Sequence, residues 1–530
     1  MTKILVQVSS PAQRVAAELL ALLSASGVEH IFLAPGARSQ SLAIAAAQLA
    51  DAERVQLHVR LDERALGFNA LGAALASGQP TALIVTSGTA VANLHPSVLE
   101  ASHSGVPMIL LTADRPHELR GVGANQTTNQ IGIFGDAVRS CFDLEAPSAE
   151  SPTVDEVRYV AASAIATALG ETGGQPGPVQ INLAFREPLS GTEPNAGKLF
   201  IEPLAVEPTT VEFEFALLDG TVPTLVVAGA EAGPEATELA EAFGWPLLAE
   251  PSSGARFGEN AILGYRLVIS ERRELADNIG RVIVFGKPTL SRQITGLLYR
   301  EGVEVIVVRS KTMGHFNVGG RASAFVDEVT VSSEPSGAWL ESWRIADQQL
   351  RLAAPVSGEL TRRELVEQVW AATEGAENLV LGASRLIREA ETWAPAKAVN
   401  VYSNRGLAGI DGTIATATGV AIATGLQTRA LMGDLTFLHD ASSLSIDTKG
   451  PELDIQLIVG NDGGGSIFES LEMRQSLPDR EFERLFRTPQ NVNIATLAAA
   501  YGWLHVPVSN ETQLANALKL KGRVVVEVAL

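Results

Sequence analysis

One cysteine, Cys141, stands among 530 residues, so no intrachain disulfide can brace the chain. Basic residues are scarce as well: 40 Lys and Arg face 60 Asp and Glu, a formal charge of −20, with no basic block or stripe. That balance makes nucleic acid a poor partner. No uninterrupted apolar stretch approaches the length of a membrane span. The opening MTKILVQVSSPAQ holds too short an apolar run for a signal peptide. Charged residues are only 19% and hydrophobic ones 46%, which excludes general disorder and leaves material for sizeable cores. The expectation is a cytoplasmic protein of several domains.

What is present is alternation. HIFLAPG (30–36), VQLHVRL (55–61), TALIVTSG (81–88), PMILLTA (107–113) and GPVQINLAF (177–185) read as strands. SLAIAAAQLA (41–50), RALGFNALGAALASG (64–78) and most of 89–105 read as helices, with Gly78 just past an end. Strand–helix alternation implies α/β units with parallel sheets covered on both faces. Two further units follow, with strands at 224–230, 246–250, 281–286 and 303–310, then at 378–384, 398–404, 429–434, 453–461 and 522–530. The expected organisation is 1–190, a Pro-, Thr- and Glu-rich linker at 191–215, a central unit at 216–350 and a last unit at 351–530. The turn in TLVVAGAEAG lacks a full G-x-G-x-x-G and reads as a structural remnant of a nucleotide-binding turn.

In open α/β sheets, ligands gather at the carboxyl ends of strands. Asp434 ends RALMGD and Asn461 ends LDIQLIVGN, 27 residues on, with TFLHDASSLSIDTK between them expected to supply a helix. Neighbouring strands would bring one carboxylate, one amide oxygen and a backbone carbonyl to one rim. That hard-oxygen set suits magnesium, which completes its shell with phosphate and water. The glycines after Asn461, Gly463 and Gly464 among them, let backbone approach a phosphate.

The GD at 433–434 and ND at 461–462 resemble the metal-and-diphosphate elements of thiamin diphosphate enzymes. There are two departures: Leu435 stands where the wider family has Gly, and Gly460 where a first Asn is usual. The resemblance implies three doubly wound domains (pyrimidine-binding, central and diphosphate-binding). It also implies thiamin diphosphate as cofactor and Mg2+ or Mn2+ held by Asp434, Asn461 and the Gly463 carbonyl, with Asp462 as the alternative to Asn461.

DER-x-LG at 62–67, TSGTAVANLHP (86–96), LLTADRP (110–116), GANQ (123–126), GASRLIR (382–388), SNRGLAGIDG (403–412) and SIFE (466–469) narrow the resemblance. They are similar to the 2-succinyl-5-enolpyruvyl-6-hydroxy-3-cyclohexene-1-carboxylate synthases of menaquinone biosynthesis. PGARS at 35–39 departs from the usual PGSRS by Ala37. Read alone, Asp62 and Glu63 are an ordinary helix cap and first turn. The resemblance makes Glu63 the catalytic acid that hydrogen-bonds the coenzyme's aminopyrimidine ring, and leaves Asp62 a cap.

The resemblance further implies 2-oxoglutarate and isochorismate as substrates, both dianions. A protein of charge −20 must then focus arginine at one place. Arg38, Arg115, Arg292, Arg388 and Arg405 all follow expected strands. Ser384, Arg388 and Arg405 would hold the distal carboxylate of 2-oxoglutarate. Arg38, Arg115, Asn125, Gln126 and Arg292 would receive isochorismate, helped by Ser39. Ile410, Ile467 and Phe468 would support the coenzyme and form an apolar wall. Arg60 and Arg64 are expected to be solvated or ion-paired. Glu63 and the metal site would meet across a subunit interface, in a homodimer or homotetramer. The competing readings are an acetolactate synthase-like enzyme, which needs no arginine cluster, and a non-catalytic binding protein on this scaffold.

Overall fold

Thr81–Val85 and Met108–Asp114 are buried at every position, as strands of a parallel sheet covered on both faces must be. The structure is a computed structural model and describes residues 2–8, 10–148, 150–190, 195–201, 213–310, 316–317, 319–353 and 359–530. Its packing forms two units.

The first unit comprises 1–211, 414–425 and 440–452. Its six-stranded sheet runs Gln56–Val59, His30–Leu33, Thr81–Val85, Met108–Asp114, Pro178–Ala184, Cys141–Leu144, every pair parallel. Alternate strand residues decide which face each helix covers. Ile31, Leu33, Ile109, Leu111, Val179 and Ile181 share a core with helices Pro11–Ala25, Gln40–Asp51 and Val154–Ala168. The intervening residues Phe32, Leu83 and Leu110 are buried outside that cluster, on the other face. Helix Glu63–Ser77 starts with Asp62 accepting from Arg64 N at 2.9 Å and ends at Gly78, whose φ of 68° is the left-handed conformation glycine adopts without strain.

The second unit comprises 212–413, 426–439 and 453–530. It holds a five-stranded parallel sheet, Leu247–Ala249, Thr224–Ala228, Arg281–Phe285, Glu304–Val308, Ala322–Val326. It also holds a six-stranded one, Asn400–Tyr402, Asn378–Leu381, Thr428–Gly433, Ile455–Asn461, Arg523–Ala529, Leu504–Val508. The fold is α/β with doubly wound parallel sheets. Among the described residues, no helix is long and apolar enough to cross a membrane.

Four expectations need correction. Within the anticipated linker 191–215, residues 191–194 and 202–212 lie outside the described residues, but Asn195–Ile201 is a strand antiparallel to Thr2–Val8. Its hydrogen-bond partner lies almost 200 residues away, where local composition carries no sign of it. The helix expected over 89–105 is two helices, Thr89–Asn93 and His95–Ser104, because Pro96 near the start of the second has no N–H to continue the first. The crossover after Asp434 is not helical throughout. Its helix begins at Asp434 and stops at His439, and 440–452 joins the first unit. There the buried Asp440 accepts from Ile414 N at 2.8 Å and Ala415 N at 3.1 Å, so its carboxylate serves helix Thr413–Thr424. The span 351–530 is therefore not one packing unit. Arg60, finally, is not a surface residue: it is 5% exposed, donating to Asn69 Oδ1 at 2.6 Å and Ser445 O at 3.2 Å, and burial pulls its guanidinium down to about 10. Arg64 does pair with Asp440, at 3.7 Å.

Helices Glu63–Ser77 and Thr413–Thr424 touch through bare backbone. A Cβ on Gly419 would lie 2.0 Å from Asn69 O, and one on Gly72 2.1 Å from Thr416 O. Asn69 Nδ2 donates to Ala415 O at 2.7 Å across the same seam. Gly419→Ala must push the helices apart and is expected to destabilise the first unit by about 1–3 kcal/mol. A lowered melting temperature in calorimetry checks this, and an unchanged one refutes the close approach.

Candidate active site

Strands Thr428–Gly433 and Ile455–Asn461 are direct neighbours, with Gly433 opposite Gly460. Asp434 and the 461–465 loop consequently leave the same edge of the sheet. Between them lies a cavity of about 140 Å3 whose lining includes Ser384, Ile410, Asp434, Asp462, Gly464, Ile467 and Phe468. Six of the predicted site residues thus meet in one place.

Asn461 and Gly463 do not line that cavity. Asn461 Nδ2 donates to Glu527 Oε1 at 2.7 Å, and its Oδ1 accepts from Gly463 N at 3.2 Å. Asp462 takes the position facing Asp434. Its Oδ2 is held by Arg362 Nη2 at 2.6 Å and Ser466 Oγ at 2.5 Å. Of the two candidates named from the sequence, Asp462 lines the cavity and Asn461 does not. Alternation along the chain accounts for it: if Asn461 turns toward strand Arg523–Ala529, its successor turns away.

The donor chemistry suits a divalent cation. Asp434 is 5% exposed, and its carboxyl is pushed up to about 6, first by burial and also by the Asp462 charge. Two carboxylates in a small, partly apolar cavity are unfavourable until a cation neutralises them. Among the described residues no group of three or more His, Cys, Asp and Glu is arranged to hold a metal. Two carboxylates plus backbone carbonyl leave coordination positions for phosphate oxygen and water, as magnesium prefers. The loop is pinned where phosphate would approach: a Cβ on Gly464 would lie 2.2 Å from Arg487 O, with φ at 131°. Phe468 packs edge-on against Phe486, ring centres 5.7 Å apart, which stiffens the apolar wall.

Ser384 is the N-cap of helix Arg385–Trp393, accepting from Leu386 N at 3.2 Å. One turn along that helix is Arg388. Arg388 Nη1 donates to Leu290 O at 3.5 Å, and Arg405 Nη2 to Thr289 Oγ1 at 3.1 Å. Partial burial lowers the Arg388 pKa, the positive charges of Arg266, Arg405 and Arg292 push the same way, and Glu391 opposes them. Arg405 is 7% exposed and its Nε is buried without a hydrogen-bond partner among the described residues. Arg292, the first residue of helix Arg292–Leu298, belongs to this cluster in the second unit. Ala408, with φ of 57°, bends the loop that carries Arg405 and Ile410.

The remaining predicted residues lie in the first unit. Arg38 is 8% exposed, donates to Phe185 O at 2.9 Å, and is held below its usual pKa by burial and by Arg115. Arg115 donates to Asn125 O at 3.0 Å. Gln126 has φ of 56°, a conformation held by Ser87, which donates to its carbonyl at 2.9 Å and accepts its side-chain amide at 3.0 Å. Ser39 Oγ donates to Gly36 O at 3.1 Å. Glu63 is the first residue of its helix, half-buried, and its cap Asp62 also accepts from Ser442 Oγ at 2.6 Å.

Sequence reading missed Arg362, Glu250 and Glu391. Glu250 follows the strand of PLLAE, the same strand-end signal that singled out Asp434. A larger cavity of the second unit, about 710 Å3, lies instead against the 229–234 turn of the central sheet. Glu231, Glu235, Glu238, Asp327 and Glu328 line it, and Arg309 is already paired with Asp327 at 2.9 Å. That charge repels phosphate, so size does not identify the anion site.

Residues 13–139 match the family described as thiamine pyrophosphate enzyme, N-terminal TPP binding domain, and 388–528 its C-terminal TPP binding domain. A 2-succinyl-5-enolpyruvyl-6-hydroxy-3-cyclohexene-1-carboxylate synthase of Leifsonia xyli subsp. xyli (strain CTCB07) is 44% identical, over 98% of this chain and 97% of its own. Proteins of the same name from Paenarthrobacter aurescens (strain TC1) and Clavibacter michiganensis subsp. michiganensis (strain NCPPB 382) are each 42% identical over 95% of this chain, covering 91% and 93% of their own lengths. The chain belongs to the 2-succinyl-5-enolpyruvyl-6-hydroxy-3-cyclohexene-1-carboxylate synthase family of thiamine pyrophosphate enzymes.

Proposed function

We propose that the protein decarboxylates 2-oxoglutarate and joins the resulting four-carbon succinyl unit to isochorismate by 1,4-addition. The product is 2-succinyl-5-enolpyruvyl-6-hydroxy-3-cyclohexene-1-carboxylate, and carbon dioxide leaves. The observation that carries this reading is the guanidinium cluster of Arg388, Arg405 and Arg292, in the same unit as the Asp434 cavity. Bound thiamin diphosphate supplies the electron sink that lets a 2-oxo acid lose carbon dioxide. Asp434 and Asp462, with a backbone carbonyl of the 461–465 loop, would hold its Mg2+ or Mn2+. Ile410, Ile467 and Phe468 keep water from the reacting centre. Glu63 hydrogen-bonds the aminopyrimidine ring. Ser384, Arg388 and Arg405 bind the distal carboxylate of 2-oxoglutarate, and Arg38, Arg115, Asn125, Gln126 and Arg292 orient isochorismate, with Ser39 beside Arg38. The working assembly is a cytoplasmic homodimer or homotetramer with each active site completed by Glu63 of a second copy.

The test is turnover with thiamin diphosphate and Mg2+. Joint consumption of 2-oxoglutarate and isochorismate is expected. Conversion of pyruvate to acetolactate, with isochorismate untouched, would overturn the reading. In the same assay Arg388→Ala is expected to raise the KM for 2-oxoglutarate by about ten- to a hundredfold, the worth of a hydrogen bond to a charged group. The KM for isochorismate should move less, and the reverse ranking would exchange the two substrate assignments.

A further inference from the structure

Arg388 and Arg405 lean on two adjacent residues of one turn, the carbonyl of Leu290 and the hydroxyl of Thr289. That turn is itself held by a buried acid. Glu250, 0% exposed at the end of strand Leu247–Ala249, accepts from Leu290 N at 2.8 Å. Its other oxygen, Oε2, is buried without a hydrogen-bond partner among the described residues. Burial, and secondarily the charge of Glu391, push the Glu250 carboxyl up to about 8; Glu391, also 0% exposed, is held by Tyr265 Oη at 2.7 Å and Arg266 Nη1 at 3.3 Å. Burying an acid with one unpartnered oxygen is costly, so a role other than packing has to be sought. Arg292 is secured separately, since Ser291 caps its helix through Ile294 N at 3.5 Å.

We propose that Glu250 is a positioning residue of the distal-carboxylate site: its side chain clamps the Thr289–Leu290 turn, and the turn aims Arg388 and Arg405 at the substrate. Glu250 touches no substrate and acts through the two arginines. The inference rests on the assignment of those arginines to 2-oxoglutarate. Reach is the essential property, because the clamp is a backbone N–H bond spanning from the strand end to the turn. A charged group that only balanced the arginines would depend on its charge and little on its length.

Two near-isosteric changes separate these roles in the full chain with thiamin diphosphate and Mg2+. Glu250→Gln keeps the reach and an acceptor oxygen but cannot ionise. Glu250→Asp keeps an ionisable carboxyl and withdraws the oxygens by one methylene. The Gln variant should hold the KM for 2-oxoglutarate within about threefold of the parent, and the Asp variant should raise it about tenfold, the cost of one buried hydrogen bond left unmade. The KM for isochorismate should move less than about threefold in both, because the Arg292 helix has its own cap. The opposite ranking of Gln and Asp overturns the clamp. So does an equal rise for both substrates accompanied by a fall in melting temperature, which marks a purely structural acid.

A double-mutant cycle completes the test. Added to Arg388→Ala, Glu250→Asp should cost less than about a further twofold, since residues acting through one another are not additive. Full multiplication of the two effects overturns the proposal. If Arg388→Ala instead moves the KM for isochorismate, the substrate assignment falls, and the cycle in that KM still decides whether Glu250 acts through Arg388. If Arg388→Ala moves neither constant, both readings fail.

Discussion

Glu63→Gln is expected to lower kcat by about 10²–10⁴-fold, the range for a positioned acid–base group, while thiamin diphosphate still binds. The carboxyl begins a helix whose placement does not depend on it. Asp62 supplies the cap to Arg64 N at 2.9 Å, and the helix is fixed further along by Asn69 on Ala415 O and by the close approach at Gly72. Gln preserves size and hydrogen-bonding reach, so folding and cofactor binding should survive. What is lost is the ability to share a proton with the aminopyrimidine ring. Steady-state kinetics with calorimetric cofactor titration measures both quantities. Full activity in Glu63→Gln would favour the non-catalytic scaffold, and loss of cofactor binding alone would make Glu63 a binding residue.

Asp434→Ala should weaken thiamin diphosphate binding at least about a hundredfold, because even residues behind metal ligands typically change metal affinity ten- to a hundredfold. Activity should then rise steeply with added Mg2+. The alanine removes one of the two carboxylates facing the cavity, leaving Asp462 without its counterpart. Asp462→Ala should have a comparable effect. Asn461→Ala should do less, since Asn461 is engaged with Glu527 at 2.7 Å and with its own turn. Calorimetric titration of the cofactor at fixed Mg2+ ranks the three. Equal loss in Asn461→Ala and none in Asp462→Ala would return the ligand role to the asparagine.

The amino-acid pattern by itself determined the α/β class and the edge of the sheet where the chemistry sits. Short apolar runs ending in Gly, Asp or Asn are set by backbone and burial, which act locally, and so Asp434 could be found from its strand alone. The acidic first turn and the capping Asp62 were legible for the same reason: they are contacts between residues two or three apart. What needed the tertiary structure was every choice made by distant partners. Thr2–Val8 recruits Asn195–Ile201 into a ladder, Asn69 and Ser445 make Arg60 a buried residue, and Glu527 draws Asn461 aside so that Asp462 faces the cavity. Glu250 sits at a strand end like many others, and only the turn it holds, 40 residues away, gives it a role. Local propensity carries no term for such pairings, because the free energy of a buried hydrogen bond depends on what the fold places opposite it.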